Sequence, residues 1–117
     1  MPAGDVSGNV EPIMPDDIVV IATLHVRPGQ ERLFREFEQE AVRIMRDHGG
    51  RLERAVRVTA SLDGRVPPHE VHILRFPSEA HFEGYRRDPR LEDLDPLRAS
   101  AIAETMILFG RDAEPYD

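Results

Sequence analysis

The sequence predicts an α+β fold with the element order β-α-β-β-α-β. Four segments have the apolar composition or the two-residue alternation of β-strands. One segment between them carries apolar residues at spacings of three and four, as an amphipathic helix does, and another begins with a helix-capping serine. A length of 117 residues is enough for one domain with one modest core. We assign this domain to residues 18–111.

The two ends of the chain differ from this domain. Residues 1–17 contain three prolines and two glycines without an apolar period, which indicates a flexible lead-in. Residues 112–117 form a short tail. The lead-in has no charged segment followed by an apolar run, and no stretch approaches the roughly 20 apolar residues that cross a bilayer. We therefore expect a cytoplasmic protein without a membrane partner.

The first half of the domain is a strand followed by a helix. Residues 18–26 (IVVIATLHV) are apolar on both alternating faces, which indicates a central strand that is covered on both sides. Residues 30–48 then predict an amphipathic helix that ends at Gly49 and Gly50, since glycine adopts the left-handed conformation of a C-cap. The apolar stripe of this helix consists of Leu33, Phe34, Phe37, Ala41, Ile44, Met45 and His48.

The second half continues with two strands, a broken helix and a last strand. Residues 69–76 (HEVHILRF) and 104–110 (ETMILFG) are largely apolar strands. Between them, Ser78 has the residue type of an N-cap, and two Asp-Pro pairs break the helix into short pieces that end near Ala101. Residues 51–61 alternate as an edge strand, with one apolar face made of Leu52, Val56, Val58 and Ala60.

The strand composition predicts the sheet order and a partner. The first and third strands are the most apolar, which places them in the middle of a ferredoxin-like antiparallel sheet of order 4-1-3-2. Two helices can cover only one face of that sheet, yet the first strand is apolar on both faces. The other face needs a cover from outside the chain. A second copy is the simplest cover, so we predict a homodimer in the form of a dimeric α/β barrel.

Composition excludes several kinds of site. The absence of cysteine excludes disulfides, thiolate metal sites and a cysteine nucleophile. All fifteen basic residues are arginine, so no lysine can form a Schiff base, hold pyridoxal phosphate or complete a phosphate-binding P-loop. A net charge of -7 argues against nucleic acid as a partner, because phosphate binding needs clustered positive charge.

Strand direction brings polar residues to one edge of the predicted sheet. The first and third strands run in opposite directions, so the end of one lies beside the start of the other. The second helix ends at the same edge. The residues that converge there, below the start of the first helix with Phe34 and Phe37, are His25, His69, Glu70, His72 and Arg98.

We interpret this edge as the mouth of a pocket between sheet and helices that holds a small, aromatic or enolisable ligand. His25, His72 and Arg98 are the candidate catalytic residues: Arg98 would pair with a carboxylate or enolate, and a histidine would act as a base or hydrogen-bond donor. The candidate ligand-binding residues are Phe34, Phe37, His69, Glu70 and Tyr85, the last through its hydroxyl.

Structural roles are open alternatives for the same residues. His25 can be a satisfied ring at the barrel rim, Arg98 can bond helix carbonyls or Glu70, and Tyr85 can belong to the core. Glu70 and His72 share a strand face, and with His25 they would resemble a two-histidine, one-carboxylate site only in one register. We therefore predict no metal.

The C-terminal motifs resemble a known family. Three features are similar to those of a small bacterial family of unknown function. They are a strand that ends in Arg75-Phe76-Pro77-Ser78, a tyrosine in the next helix (Tyr85), and Pro96-Leu97-Arg98 before the last strand. That family lies within the dimeric α/β-barrel superfamily, which is related to the antibiotic biosynthesis monooxygenases. The likeness covers about two-fifths of the chain in motif and the whole domain in element order.

The resemblance implies the fold and a range of activities that includes cofactor-independent monooxygenases, isomerases, haem-degrading enzymes and binding proteins. The haem-degrading type uses asparagine and tryptophan near its ligand, whereas this chain has no tryptophan and its only asparagine is Asn9. We therefore expect no cofactor. We expect a monooxygenase-like or isomerase-like enzyme, with a non-catalytic ligand-binding or interaction protein as the alternative.

Overall fold

A computed structural model describes residues 12–116, so residues 1–11 of the predicted lead-in and Asp117 lie outside the described residues. The chain forms one four-stranded antiparallel sheet of order β2-β3-β1-β4, which confirms the predicted 4-1-3-2 order counted from the opposite edge. The elements in chain order are β1 (Ile18–Val26), α1 (Glu31–Arg46), β2 (Arg51–Arg57), β3 (Glu70–Phe76), α2 (Glu79–Arg86), α3 (Pro89–Glu92), α4 (Asp95–Ala101) and β4 (Ile102–Gly110).

The side chains of the central strand β1 project alternately to the two faces of the sheet. Its even-numbered side chains are buried below the helices, because side chains alternate along a strand. Its odd-numbered side chains project to the opposite face, which we call the open face. The buried residues of β1 are Ile18, Val20, Ala22 and Leu24, and its open-face residues are Val19, Ile21, Thr23 and His25.

Helix α1 closes the buried face through its apolar stripe. Phe37, Ala41, Ile44 and Met45 are buried, as the three- and four-residue spacing predicts. The core has one cluster around Phe76, with Met45, and another around Phe34, with Phe37 and Ala41. Transfer of each such side chain from water contributes about 1.5–3 kcal/mol. This layer of packing holds α1 at a fixed rotation above the sheet.

A register irregularity in β2 corrects the predicted alternation of that strand. The pairing with β3 shifts between Leu52 and Arg54. As a result Leu52 and Ala55 lie on the helix face, whereas Val56 pairs with Val71 of β3 on the open face and is 38% exposed. The extra residue inverts the alternation beyond it. The sequence pattern predicted that Leu52 and Val56 share a face, but they lie on opposite faces.

The open face carries exposed apolar side chains. Val56, Met106 and Leu108 are 38%, 50% and 47% exposed, respectively. Val71 and Ile73 of β3 lie between them in the sheet and are half-buried. An apolar surface that runs across all four strands is unusual for a sheet that faces water.

One end of the open face is closed by ion pairs to Arg75, which is only 4% exposed. Asp112 accepts two hydrogen bonds of 2.8 Å from its guanidinium, and Glu53 accepts one of 2.8 Å. Asp17 lies 3.4 Å from the same group. These pairs raise the pKa of Arg75 and lower that of Asp112. They attach the last residue of the predicted lead-in and the start of the predicted tail to the domain.

The connection after β3 consists of three short helices whose starts match the sequence signals. The Ser78 hydroxyl accepts the amide N–H of His81, and the Asp88 carboxylate accepts that of Arg90, as N-caps do. Asp88 also bonds His48 Nε2 at 2.8 Å, which joins the end of α1 to the start of α3. Helix α4 has no side-chain N-cap, but its Ala101 packs in the core cluster around Phe34, which keeps α4, and with it Arg98, near the sheet.

Gly50 provides a test of the packing at the end of α1. A Cβ atom added there would lie 2.3 Å from Phe76 Cε2 and 2.7 Å from Met45 Cγ, closer than atoms can approach. We predict that Gly50→Ala lowers the free energy of unfolding by about 1–3 kcal/mol, the usual cost of overpacking. Urea denaturation measures it, with Gly110→Ala as the control because open space surrounds that position. Equal stability of the two variants would contradict this close packing.

Candidate functional site

A cavity of about 610 Å³ lies between the buried face of the sheet and the helices. Its floor includes Ala22 of β1, whose small side chain leaves space above the central strand. Aromatic rings line it together with charged side chains that come from all four helices. The residues on which the site depends are Phe37, Phe82, Tyr85 and Phe109 among the rings, and Glu38, His72 and Arg98 among the polar groups.

His72 lies between two carboxylates inside this cavity. Its Nε2 is 2.8 Å from Glu70 Oε1, and its Nδ1 is 3.6 Å from Glu38 Oε1. The His72 side chain is 5% exposed, whereas that of Glu38 is 18% exposed. Arg57 donates to the other oxygen of Glu70 at 3.2 Å. The result is a connected row of polar side chains that starts with Arg57 on the edge strand and ends with Glu38 in the cavity.

The two carboxylates of this row have opposite electrostatic environments. Burial raises the pKa of Glu38 and the charge of Glu70 adds to the increase, while the charges of His72 and Arg98 oppose it. Burial would also raise the pKa of Glu70, but hydrogen bonds from His72 and Arg57 outweigh it and lower that pKa. Glu70 is therefore the carboxyl that the fold stabilises as an anion, whereas Glu38 binds a proton at a higher pH than an ordinary glutamate does.

Tyr85 and Arg98 approach the same space from α2 and α4. The Tyr85 ring packs against Phe76 and Phe82, with centroids 5.7 and 6.2 Å apart, and Tyr85 lines the cavity. Burial raises the pKa of Tyr85, so its hydroxyl stays neutral and can donate a hydrogen bond. The Arg98 guanidinium is exposed at the rim and bonds Thr105 Oγ1 at 3.4 Å. It does not bond Glu70.

Glu38 is a site residue that the sequence analysis did not identify. It lies one residue after Phe37 and four residues after Phe34, within the apolar stripe of α1. Its position could have identified it from the sequence, because a charged residue inside an apolar helical stripe is unusual. Burial of an unpaired carboxylate costs stability, so such a residue indicates a functional role.

The structure brings together most of the predicted site residues. Phe37, His72, Tyr85 and Arg98 line the cavity, and Glu70 bonds His72 behind it. Phe34 is buried beside them, with its ring centroid 6.3 Å from that of His72. Of the five polar residues that strand direction places at one end of the sheet, Glu70, His72 and Arg98 lie in or beside this cavity.

His25 is at the predicted edge but on the other face of the sheet. It pairs with Glu104 of β4, and its side chain projects to the open face. Beyond it the register shifts before Val26. The expectation that His25 joins His72 and Arg98 in one pocket therefore needs correction, because an odd-numbered residue of β1 cannot reach the helix face.

His69 lies beside the cavity rather than in its wall. Its ring contacts that of Phe34 edge to face, with centroids 5.5 Å apart, and its Nε2 is buried without a hydrogen-bond partner among residues 12–116. Its amide donates to the carbonyl of Leu24 at 2.7 Å. The structure thus places His69 in the packing between α1 and the sheet.

The polar groups do not form a metal centre in the part of the chain that the structure describes. No cluster of three or more His, Cys, Asp or Glu side chains there could hold an ion. Glu38 and Glu70 contact opposite nitrogens of the His72 ring, so the three groups do not converge on one point.

Several solved structures share this arrangement of sheet and helices. A protein of unknown function from Rhodopseudomonas palustris is 16% identical, with a TM-score of 0.77 over 97% of this chain and 92% of its own. A NIPSNAP family protein of unknown function from Agrobacterium tumefaciens is 21% identical, with a TM-score of 0.64 over 89% and 95%. A proposed antibiotic biosynthesis monooxygenase from Bacteroides thetaiotaomicron is 17% identical, with a TM-score of 0.61 over 86% and 90%.

Sequence comparisons give no match to a protein-family model or to a curated protein. At identities of 16–21%, the structural likenesses establish the fold. They confirm the predicted ferredoxin-like fold and agree with the resemblance to unknown-function and monooxygenase-related proteins. Within residues 12–116, none of the helices has the length and hydropathy of a membrane span.

The raised pKa of Glu38 leads to a prediction about stability. When the pKa of a carboxyl is higher in the folded than in the unfolded protein, the protein loses stability as the pH rises above the pKa of the unfolded state. The ionisation of Glu38 therefore lowers the free energy of unfolding at neutral pH. We therefore expect Glu38→Gln to increase the free energy of unfolding at about pH 7 and to change it less at about pH 4. Urea denaturation at both values measures this.

The matched control for that experiment is Glu36→Gln. Glu36 is on the same helix, 48% exposed, and pairs with Arg32 at 3.7 Å. A surface pair of this kind contributes about 0–1 kcal/mol, so we expect little change at either pH. A Glu38→Gln protein that is less stable than the wild type at neutral pH would show that the Glu38 charge is compensated in the fold.

Proposed function

We propose that this protein is a homodimeric, cytoplasmic small-molecule enzyme, monooxygenase-like or isomerase-like, that works without a cofactor. The observation that carries the proposal is the cavity of about 610 Å³ in which aromatic rings meet His72, Glu38 and Arg98. Rings bind a planar apolar ligand, and a few convergent polar groups orient it. The ligand that fits is aromatic or enolisable and carries an acidic hydroxyl or an acidic C–H bond.

The reaction would begin by removal of a proton from the ligand. Arg98 stabilises the anion that forms, and the Tyr85 hydroxyl donates a hydrogen bond to it. In an isomerase the same proton returns to another atom of the anion. In a monooxygenase the anion reacts with dioxygen: an activated CH₂ group becomes a carbonyl, one oxygen atom enters the product and the other leaves as water. The electron-rich ligand supplies the reducing electrons in that case.

A non-catalytic ligand-binding protein is the second candidate. It is favoured by the contacts of His72, whose two ring nitrogens both face carboxylates at 2.8 and 3.6 Å. A histidine engaged in this way can be structural rather than reactive. In that case Arg98 and the rings would bind the ligand and no proton would be transferred.

Native mass spectrometry of the protein from its own host tests the proposal, since it reports subunit number and any retained ligand together.

A purified enzyme with no ligand can be titrated with 4-nitrophenol, a phenol whose anion is coloured. We predict that Arg98→Gln weakens binding of the 4-nitrophenolate anion roughly tenfold, because a charge-assisted hydrogen bond is lost.

Arg87→Gln is the control for the Arg98 variant, because the Arg87 side chain is 83% exposed and pairs with Glu83 at 3.7 Å outside the cavity. It should bind the probe as the wild type does. Equal affinity in the Arg98 and Arg87 variants would remove Arg98 from the site. Replacement of His25 should also leave affinity unchanged, since its side chain is on the open face.

The homodimer is proposed from the open face. Two copies that pair through Val56, Met106 and Leu108 would bury apolar surface that the monomer exposes. We predict that Leu108→Arg shifts the protein from dimer to monomer in analytical ultracentrifugation. Leu62→Arg, at a loop position that is 106% exposed, should remain dimeric. A monomeric wild type would contradict the proposed dimeric barrel.

A further inference from the structure

We propose that Glu38 is the residue that accepts the proton of the ligand, and that His72 is a positioning residue for it. This inference rests on the proposed function, since it requires a ligand with an acidic hydroxyl in the cavity. It assigns the central chemical role to a residue of α1, whereas the histidines were the candidates from the sequence.

The contacts of Glu38 support this assignment. Its carboxylate lines the cavity, is 18% exposed, and has no hydrogen bond among residues 12–116; its ion pair with His72 Nδ1 has a distance of 3.6 Å. A carboxyl group in an aromatic pocket without a hydrogen bond has accepting capacity that a ligand can fill. By contrast, His72 Nε2 is already bonded to Glu70 at 2.8 Å.

The same row explains how His72 positions Glu38. Arg57 and His72 bond Glu70, which holds the imidazole ring in one orientation. The Nδ1 side of the ring then faces Glu38. The other charged or titratable groups that act on Glu38 are Arg98 of α4 and Glu70 of β3, and the neutral Tyr85 of α2 borders the same space.

The proton transfer balances within the site. The O–H bond of the ligand breaks and a new O–H bond forms on a carboxylate oxygen of Glu38. The electron pair stays on the ligand oxygen, which becomes an anion beside Arg98. Return of the proton from Glu38 to a carbon atom of that anion completes an isomerisation, and no further reactant is needed for this step.

Calorimetric titration with 4-nitrophenol tests the assignment when it is repeated in buffers of different ionisation enthalpy, which gives the number of protons taken up on binding. Slightly above neutral pH the free probe is mostly the coloured anion. We expect the wild type to bind it as the anion and to take up about one proton, because an ionised Glu38 beside a bound anion becomes protonated. Absorbance of the bound probe shows whether that proton resides on the protein.

Three variants separate the roles. Glu38→Gln should bind the anion with the proton uptake lost, while Glu36→Gln should behave as the wild type. His72→Gln should keep the uptake but move its midpoint to higher pH, because the charge of His72 lowers the pKa of Glu38. A residue with only a structural role would not move that midpoint. Circular dichroism confirms that each variant is folded.

Two results would overturn the assignment and are distinguishable from a failure of the proposed function. Uptake that persists in Glu38→Gln, or a bound wild-type probe that is colourless and therefore still carries its proton, contradicts the role of Glu38 alone. No binding of the probe to the wild type contradicts the proposed aromatic or enolisable ligand itself, and the role of Glu38 with it.

Discussion

The hydrogen bonding of β1 on both of its edges is the constraint on which the rest of the structure depends. Because β3 and β4 pair with it on either side, its side chains can project only to the two faces of the sheet. Ala22 therefore lies in one row with His72 and Ile107 on the helix face. A shift of one residue between β1 and β3 would move His72 out of the cavity.

The cavity combines an apolar wall with a buried carboxyl, and the two have opposite effects on stability. Phe34 and Phe37 stabilise the fold by packing between α1 and the sheet. Glu38, in the same helical stripe, loses hydration there, and His72 compensates for part of that loss. Residues that cost stability in this way are typical of functional sites, which is why Glu38 is central to the proposed chemistry.

The open face has a different character, although it belongs to the same strands. Its middle is apolar and partly exposed, and one end holds Arg75 among carboxylates from the lead-in, β2 and the tail. The charges of this cluster are paired within the chain, whereas the apolar side chains of the open face stay partly exposed among residues 12–116. The apolar part is therefore the region that a second copy would cover in the proposed dimer.

Much of the fold could be predicted from local patterns. The three- and four-residue spacing identified α1, the strand compositions identified the central pair, and the Asp-Pro pairs identified the breaks between α2, α3 and α4. Part of the candidate site was also predictable, because the direction of β3 and of the helices that follow it brings His72 and Arg98 to one end of the sheet. The irregularity in β2 was not, since no residue pattern there marks where the register shifts.

The sequence by itself determined the type and order of the elements and most of the core, because the periods of helix and strand depend only on local backbone geometry. The tertiary structure decided the face of His25, the rotation of α1 above the sheet, and so the meeting of Glu38 with His72. These depend on the packing of residues that are far apart in the chain, and the spacing within a single element carries no information about such contacts.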